Sequence, residues 1–238
     1  MKIAIMAGGM GSRLKPMTSV IPKPLIPVGD KPILEIIIKT LRNQGFKEMI
    51  LCVGYKSDLI KIYFGSGSKL NVRLDYLKEE KRLGTAGPLR LVRDKFAIKE
   101  PILMLNGDIL TELNFRKMSQ FHIKNKADLT IGVKMKQIRT KYGVLETSGD
   151  ELLRIKEKPS FKFKISTGIN IINPDILDYI KPNTYFDMPV LINKCIKEKR
   201  NVLCYNIKEY WKAIDRIEDL NQVNSKTNIK RRFLHLFR

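Results

Sequence analysis

The chain has 238 residues, 43% of them hydrophobic, with a mean hydropathy of -0.20, which is enough for one large domain or at most two small ones. Its 45 Lys and Arg against 24 Asp and Glu give a formal charge of +21, a field that attracts phosphorylated substrates, nucleic acid or an anionic membrane surface. No apolar run approaches the roughly 20 residues of a spanning helix, the N-terminus lacks the long apolar stretch of a secretory signal, and the lysines are spread out instead of forming a basic block interleaved with aromatics. The expectation is therefore a cytoplasmic protein without stable membrane insertion and without a nucleic-acid partner. Cys52, Cys195 and Cys204 form no C-x-x-C pair and sit in apolar segments, so they read as reduced core or near-core thiols.

Ile3-Ala4-Ile5-Met6 ends in glycines and Met49-Ile50-Leu51-Cys52-Val53 ends at Gly54, the pattern of buried parallel strands. Between them Asp30 is expected to N-cap a helix with Lys31-Pro32 in its first turn. Ile33, Ile36, Ile37, Thr40 and Leu41 then share one face until Gly45 stops it. Gly65-Ser66-Gly67-Ser68-Lys69 follows an apparent helix and lacks Walker spacing, so it reads as a surface turn. Residues 72–77 predict a third strand, 85–96 a helix, and 102–105 a further buried strand running into Asn106-Gly107-Asp108. The β-α-β-α-β-α-β order predicts a Rossmann-like, doubly wound, mostly parallel α/β sheet, with ligands beyond the carboxyl ends of its strands. After Asp108, Leu129, Ile131, Val133 and Met135 alternate with polar residues. Strand-like pieces follow at 144–146, 152–156 and 168–172, so the sheet is expected to become mixed. Asp187-Met188-Pro189 resembles a helix start leading to Cys195, and 202–205 a final strand before Trp211, which is expected to pack and not to stack on a base. The fold is expected to form a single domain over residues 1–228. That leaves 229–238 as a basic tail, for which fraying outweighs contact with a membrane or partner. His122 and His235 belong to no metal or triad spacing.

The first strand opens into Ala7-Gly8-Gly9-Met10-Gly11-Ser12-Arg13-Leu14, where glycines let backbone N–H groups approach an anion and Arg13 offers a forked charge to a phosphate. The glycine spacing and the lack of an acidic residue ending the second strand exclude a dinucleotide fingerprint. Downstream, Pro22-Lys23-Pro24-Leu25 holds one lysine between two prolines that restrict the backbone. These segments, together with Pro16-Met17-Thr18, Leu83-Gly84-Thr85-Ala86-Gly87, Asn106-Gly107-Asp108, Tyr142-Gly143-Val144-Leu145-Glu146, Glu157-Lys158-Pro159, Thr167-Gly168-Ile169 and Tyr185-Phe186-Asp187-Met188-Pro189, strongly resemble the sugar-1-phosphate nucleotidyltransferases, the nucleotide-sugar pyrophosphorylases. Within that family the chain is most similar to a bacterial branch that serves surface-glycan synthesis and often carries CBS modules, none of which falls within these residues.

The resemblance implies attack of a sugar 1-phosphate oxygen on the α-phosphorus of a nucleoside triphosphate, with release of pyrophosphate. GTP is the favoured nucleotide, with CTP and TTP behind it, and the oligomeric state, a homo-oligomer included, is left open. Arg13 would hold the leaving phosphates and Lys23 the α-phosphate. Ala7, Gly8, Gly9, Gly11 and Ser12 would lie along the nucleotide, Gly84 and Thr85 would approach the base, and Gly107 would free Asp108 to hold Mg2+. Gly143, Glu157 and Lys158 would bind the sugar and its phosphate, with Ser166 and Thr167 lining the same pocket. One segment departs from the family pattern. Near the C-terminus the second metal carboxylate lies in a W-x-D-[IV]-G stretch, which here is Trp211-Lys212-Ala213-Ile214-Asp215. Ala213 takes the carboxylate position and Asp215 the glycine position. In an extended segment residues i and i+2 share a side, so Asp215 is expected to supply the second metal ligand from a shifted backbone. The competing expectation is a degenerate homologue that binds nucleotide only, and a cytidylyl- or thymidylyltransferase on a related phosphorylated substrate is the alternative enzyme.

Overall fold

The computed structural model describes residues 1–225 and Phe233. Strand β1 (Lys2–Met6) is followed by a short helix α1 (Met17–Val20), a ribbon of β2 (Pro27–Val28) and β3 (Lys31–Pro32), helix α2 (Ile33–Asn43), β4 (Glu48–Val53), α3 (Ser57–Phe64) and β5 (Arg73–Lys78). Then come α4 (Gly87–Lys95), β6 (Ile102–Asn106), β7 (Ile109–Thr111) and α5 (Phe115–Lys124). The second half supplies β8 (Leu129–Arg139), the hairpin of β9 (Val144–Ser148) and β10 (Glu151–Lys156), β11 (Ser160–Ile172), α6 (Met188–Lys197), β12 (Val202–Asn206), β13 (Trp211–Ala213) and α7 (Ile217–Asn224).

A seven-stranded sheet in the order β12-β8-β11-β6-β1-β4-β5 organises the chain. β1 pairs in parallel with both β4 and β6, β4 with β5, and β12 with β8, while β11 runs antiparallel to β6 and β8. The fold is a mostly parallel, mixed α/β sheet with both faces covered. In β1 the pleat sends Ile3 and Ile5 into the core beneath α2, α5 and α7, and Ala4 into the core beneath α4 and α6, which is why the strand is an unbroken apolar run. Helix α2 closes the first core with Ile33, Leu34, Ile36, Ile37, Ile38 and Leu41, all buried, each worth roughly 1.5–3 kcal/mol of transfer free energy. The chain order places β4 and β5 on one side of β1 and β6 on the other, so a topological switch point lies between the carboxyl ends of β1 and β6.

Several boundaries differ from the sequence expectation. Asp30 does not cap α2. It sits in the turn of the β2–β3 ribbon beside Gly29 at φ 66, and Pro32 is the N-cap residue, with Ile33 N–H donating to the Ile26 carbonyl at 3.0 Å. The helix expected from residue 85 begins at Gly87, because Thr85 is bonded elsewhere. β11 starts eight residues before Gly168, since residues 160–166 pair with β8 as far as Ser166 opposite Val133. Cys52 and Cys195 are buried, but Cys204, on the outermost strand β12, is exposed, so the near-core reading holds for two thiols of three. His122 is buried, its ring nitrogens 2.8 Å from Thr130 Oγ1 and 3.0 Å from Asn173 Oδ1, a packing role. Of the tail, Phe233 is 2% exposed with its ring 6.0 Å from that of Tyr210, so fraying does not describe it. His235 and the rest of 229–238 lie outside the described residues.

Phe115, at the first turn of α5, is 1% exposed within the core shared with α2. Phe115→Ala is expected to cost about 3–5 kcal/mol, read from urea unfolding. A loss below about 1 kcal/mol would show that the site collapses around the deletion.

Candidate active site

Five loops converge beyond the carboxyl ends of β1, β5 and β6 and enclose a cavity of about 420 Å³ lined by Ala7, Gly9, Gly11, Ser12, Arg13, Lys23, Arg82, Thr85, Gly107, Asp108 and Asp215 among others. A second arm of about 330 Å³, sharing Gly9, Arg82, Thr85 and Asp108 with it, is lined also by Gly8, Glu79, Gly84, Tyr185 and Asp187. The residues expected along the nucleotide are therefore brought together around one cleft.

Close packing of backbone explains the glycines. A Cβ on Gly8 would lie 3.2 Å from the Gly54 backbone nitrogen, and one on Gly107 2.9 Å from the Met6 carbonyl, which accepts the Gly107 N–H at 2.9 Å. Gly11 has φ 61, and its Cβ would stand 3.0 Å from the Lys23 Cβ, so the loop folds directly over the lysine. Thr18 Oγ1 fastens it by donating to the Gly11 carbonyl at 2.9 Å.

Lys23 begins a single 3-10 turn after Pro22 and is only 8% exposed. Its Nζ donates to Asp108 Oδ2 at 2.5 Å and to Asp215 Oδ1 at 3.2 Å. Arg13 Nη1 donates to the other oxygen of Asp215. Asp108 leaves the end of β6 through Gly107. Asp215 is delivered by β13, which runs antiparallel to β7 with Ala213 opposite Ile109, after which Ile214 N–H donates to the Asp108 carbonyl at 2.9 Å. Burial opposes ionisation of Asp215, but the Lys23 charge and the hydrogen bonds from Arg13 and Lys23 prevail and hold its carboxyl below the usual carboxylate range.

Hard oxygen donors from two carboxylates that meet at one ammonium are a donor set suited to magnesium, which takes one or two carboxylates and completes its shell with phosphate and water. Among the described residues no group of three or more His, Cys, Asp or Glu converges on a metal position, so the remaining ligands would come from substrate.

The sugar-end residues are placed differently. Gly143 and Glu157 are neighbours, a Cβ on the glycine lying 3.3 Å from Glu157 Oε2. Glu157 and Lys158 pair with each other at 3.2 Å with side chains 70% and 53% exposed. All three flank the β9–β10 hairpin outside the lining of the cleft. Ser166 is exposed on β11. Thr167, 1% exposed, spends its hydroxyl on the Gly132 carbonyl at 2.7 Å and its own carbonyl on Trp211 Nε1 at 3.0 Å. It anchors β11 and Trp211 and does not line the pocket. Sequence reasoning missed Glu79, Arg82, Tyr185 and Asp187. The first two lie within four residues of the end of β5, where the carboxyl-end rule points, and the last two lie in the Tyr185-Phe186-Asp187-Met188-Pro189 segment.

Because the folded-state value of Asp215 is lowered, the stability it contributes is complete above the unfolded value of about 3.9 and is lost as pH falls through the folded value. Asp215→Asn is expected to lessen the fall in Tm as pH is lowered from about 5 to about 2. Equal falls in both proteins would mean that the Lys23 and Arg13 bonds do not form in solution.

Comparison with known proteins places these features in context. Residues 2–229 match the family model described as nucleotidyl transferase. Mannose-1-phosphate guanyltransferase beta-A of Xenopus laevis is 37% identical over 76% of this chain and 52% of its own length. The mannose-1-phosphate guanylyltransferase catalytic subunit beta of Dictyostelium discoideum is 32% identical over 95% of this chain and 66% of its own. The chain thus spans about half to two thirds of the length of these curated relatives. Among solved structures, HddC from Yersinia pseudotuberculosis complexed with GMP-PN superposes with a TM-score of 0.74 at 25% identity, covering 94% of this chain and 98% of that one.

Proposed function

We propose that this chain, which belongs to the nucleotidyl transferase family, transfers a nucleoside monophosphate from a nucleoside triphosphate, GTP before CTP or TTP, to a sugar 1-phosphate, releasing pyrophosphate. The observation that carries the reading is the convergence of Arg13, Lys23, Asp108 and Asp215 at the switch point of the sheet. Nothing in the set is a nucleophile or a general base placed for proton abstraction, and none is needed. A sugar 1-phosphate oxygen is already anionic, so in-line displacement at the α-phosphorus asks for positioning and charge neutralisation. Lys23 and Arg13 would exchange their carboxylate partners for phosphate oxygens, Lys23 at the transferred phosphorus and Arg13 at the leaving pyrophosphate. Asp108 and Asp215 would hold Mg2+, which when bound neutralises developing phosphate charge.

The base preference is supported by Glu79. Guanine presents two adjacent donors, N1–H and N2–H, and an ionised carboxylate is acceptor-only. Burial pushes the Glu79 carboxyl up, opposed by a hydrogen bond from the Leu83 backbone, and it borders the same arm as Gly8, Gly84 and Thr85. Its backbone is fixed by N–H donation to the Val53 carbonyl at 2.8 Å. The mannose-1-phosphate guanylyltransferases among the relatives make mannose 1-phosphate the first sugar to test, with Gly143, Glu157 and Lys158 as the sugar end. The product would be an NDP-sugar for glycan synthesis in the cytoplasm.

A grid of nucleoside triphosphates against sugar 1-phosphates, scored for magnesium-dependent pyrophosphate release, tests the proposal. No release from any pair would leave a nucleotide-binding homologue. Asp215→Ala is expected to lower turnover by about 10²–10³, the scale of losing one preorganised electrostatic group, while metal-free nucleotide binding survives. Higher activity in the double variant Ala213→Asp/Asp215→Gly would show instead that the natural segment is a weakened version of the family site. For the base, Glu79→Gln is expected to lower kcat/KM for GTP by roughly 10–100-fold, the worth of a charged hydrogen bond, with smaller effects on the other nucleotides. An equal loss for every nucleotide would remove Glu79 from base reading.

A further inference from the structure

We infer that Asp187 is a positioning residue for the bound nucleotide, its carboxylate setting the turn at residues 82–85; the inference rests on the nucleotidyl-transfer reading above. Asp187 is the N-cap residue of α6, where an aspartate ordinarily accepts an N–H from the first turn of its own helix. It makes no such bond. Oδ1 accepts instead from the Thr85 N–H at 3.0 Å and from Thr85 Oγ1 at 3.1 Å, and Oδ2 accepts from the Tyr185 hydroxyl at 2.6 Å. Thr85 Oγ1 in turn accepts the Met188 N–H at 2.8 Å. Helix end and cleft turn have therefore exchanged partners: the turn satisfies the helix, and the helix carboxylate holds the turn.

The backbone follows the same seam. Phe186 N–H donates to the Leu83 carbonyl at 2.9 Å, and the Phe186 carbonyl accepts from Ala86 and Gly87 at 2.9 and 3.0 Å. Gly84, at φ 77, is pressed into it, since a Cβ there would lie 2.6 Å from the Phe186 carbonyl oxygen and 2.8 Å from Asp187 Oδ1. Because Gly84 and Thr85 line the arm that also holds Glu79 and Tyr185, the orientation of Thr85 fixes the wall against which the nucleoside would lie. The Tyr185 hydrogen bond, against the opposing effect of burial and with help from the Thr85 bonds, keeps the Asp187 carboxyl below its ordinary value, so all three donors keep a charged acceptor at neutral pH. Capping α6 alone would not require this geometry.

The test is GTP binding by calorimetry beside steady-state kinetics, at a temperature where circular dichroism shows each variant folded. Asp187→Ala is expected to raise the Kd for GTP at least about tenfold, with the KM for sugar 1-phosphate within about twofold of wild type. Asp187→Asn, whose side-chain oxygen still accepts from Thr85, is expected to stay within about threefold of wild type. GTP binding by Asp187→Ala within about twofold of wild type overturns the inference, as does an equal loss for both substrates, which belongs to general loosening of the fold. If Asp187→Ala does not fold, Asp187→Ser, which keeps an N-cap hydroxyl for α6 but is too short to hold Thr85, decides: selective weakening of GTP binding supports the link, and unchanged binding overturns it. A wild-type protein that binds no nucleoside triphosphate overturns the nucleotidyl-transfer reading itself, a failure distinct from that of the variants.

Discussion

One ammonium group holds the cleft together. Lys23 Nζ bridges carboxylates that lie 85 and 192 residues further along the chain, and it does so with almost no exposed surface. Buried ion pairs are poor sources of net stability, since desolvation consumes most of the Coulombic gain. Removing one partner, by contrast, leaves an uncompensated charge worth roughly 3–5 kcal/mol of destabilisation. An apolar trio would pack the same space more cheaply. Retaining the ions makes sense where phosphate and a cation are to replace them, as the proposed reaction would require: the lysine is oriented and largely shielded from water by the two carboxylates it bridges, and the arginine, itself exposed, is oriented by Asp215.

The rest of the fold can be read as the means of delivering these groups to one point. β1 and β6 end side by side at the switch point, where Gly107 lets backbone pass backbone against Met6 and Ala7, and on the other side of β1 Gly8 does the same against Gly54 at the end of β4. Gly11 lets its loop close over Lys23, and the prolines on either side restrict the lysine's backbone. β13 is only three residues long, yet its register with β7 decides that residue 215 and not 213 lies beside Asp108. Ala213 carries no carboxylate, and the structure brings that of Asp215 to Lys23 instead.

Much of this was legible in advance, and the failures have physical causes. β1, β4 and β6 announced themselves because strands buried on both faces must be continuously apolar, and the glycines and the arginine that follow β1 pointed to the loop that lines the cleft. α5 passed unnoticed although Asn114 accepts the Lys117 N–H at 2.9 Å as its cap and Phe115, Met118 and His122 are its buried residues. Its exposed residues dilute the apolar signal. The Asp30 cap failed because Ile26, a residue with no capping chemistry, supplies its carbonyl to the start of α2. The first half of β11 was readable in hindsight, Phe161, Phe163 and Ile165 alternating with Lys162 and Lys164. Thr167 misled for the opposite reason: a motif position says that a residue matters, and here it matters by holding Gly132 and Trp211 in place. Asp187 could not be assigned from sequence because its partner, Thr85, is distant in the chain.

The balance of charge in the cleft bears on how it would be filled. The chain carries +21 overall, yet the lining of the two arms sets four carboxylates, Glu79, Asp108, Asp187 and Asp215, against three cations, Arg13, Lys23 and Arg82. A bare triphosphate approaching these side chains meets no net attraction, so the excess lysines outside the cleft would supply the long-range steering, and a divalent cation the local neutralisation that the lining lacks. The carboxylates are also unevenly placed. Asp108 and Asp215 stand with Lys23 and Arg13, whereas Glu79 and Asp187 line the arm beyond Thr85. The first arm sets Arg13, Lys23 and Arg82 against Asp108 and Asp215, and the second sets Arg82 alone against Glu79, Asp108 and Asp187, so under the proposed reading the phosphates of a nucleotide would meet the more favourable field in the first arm and leave its base to the second.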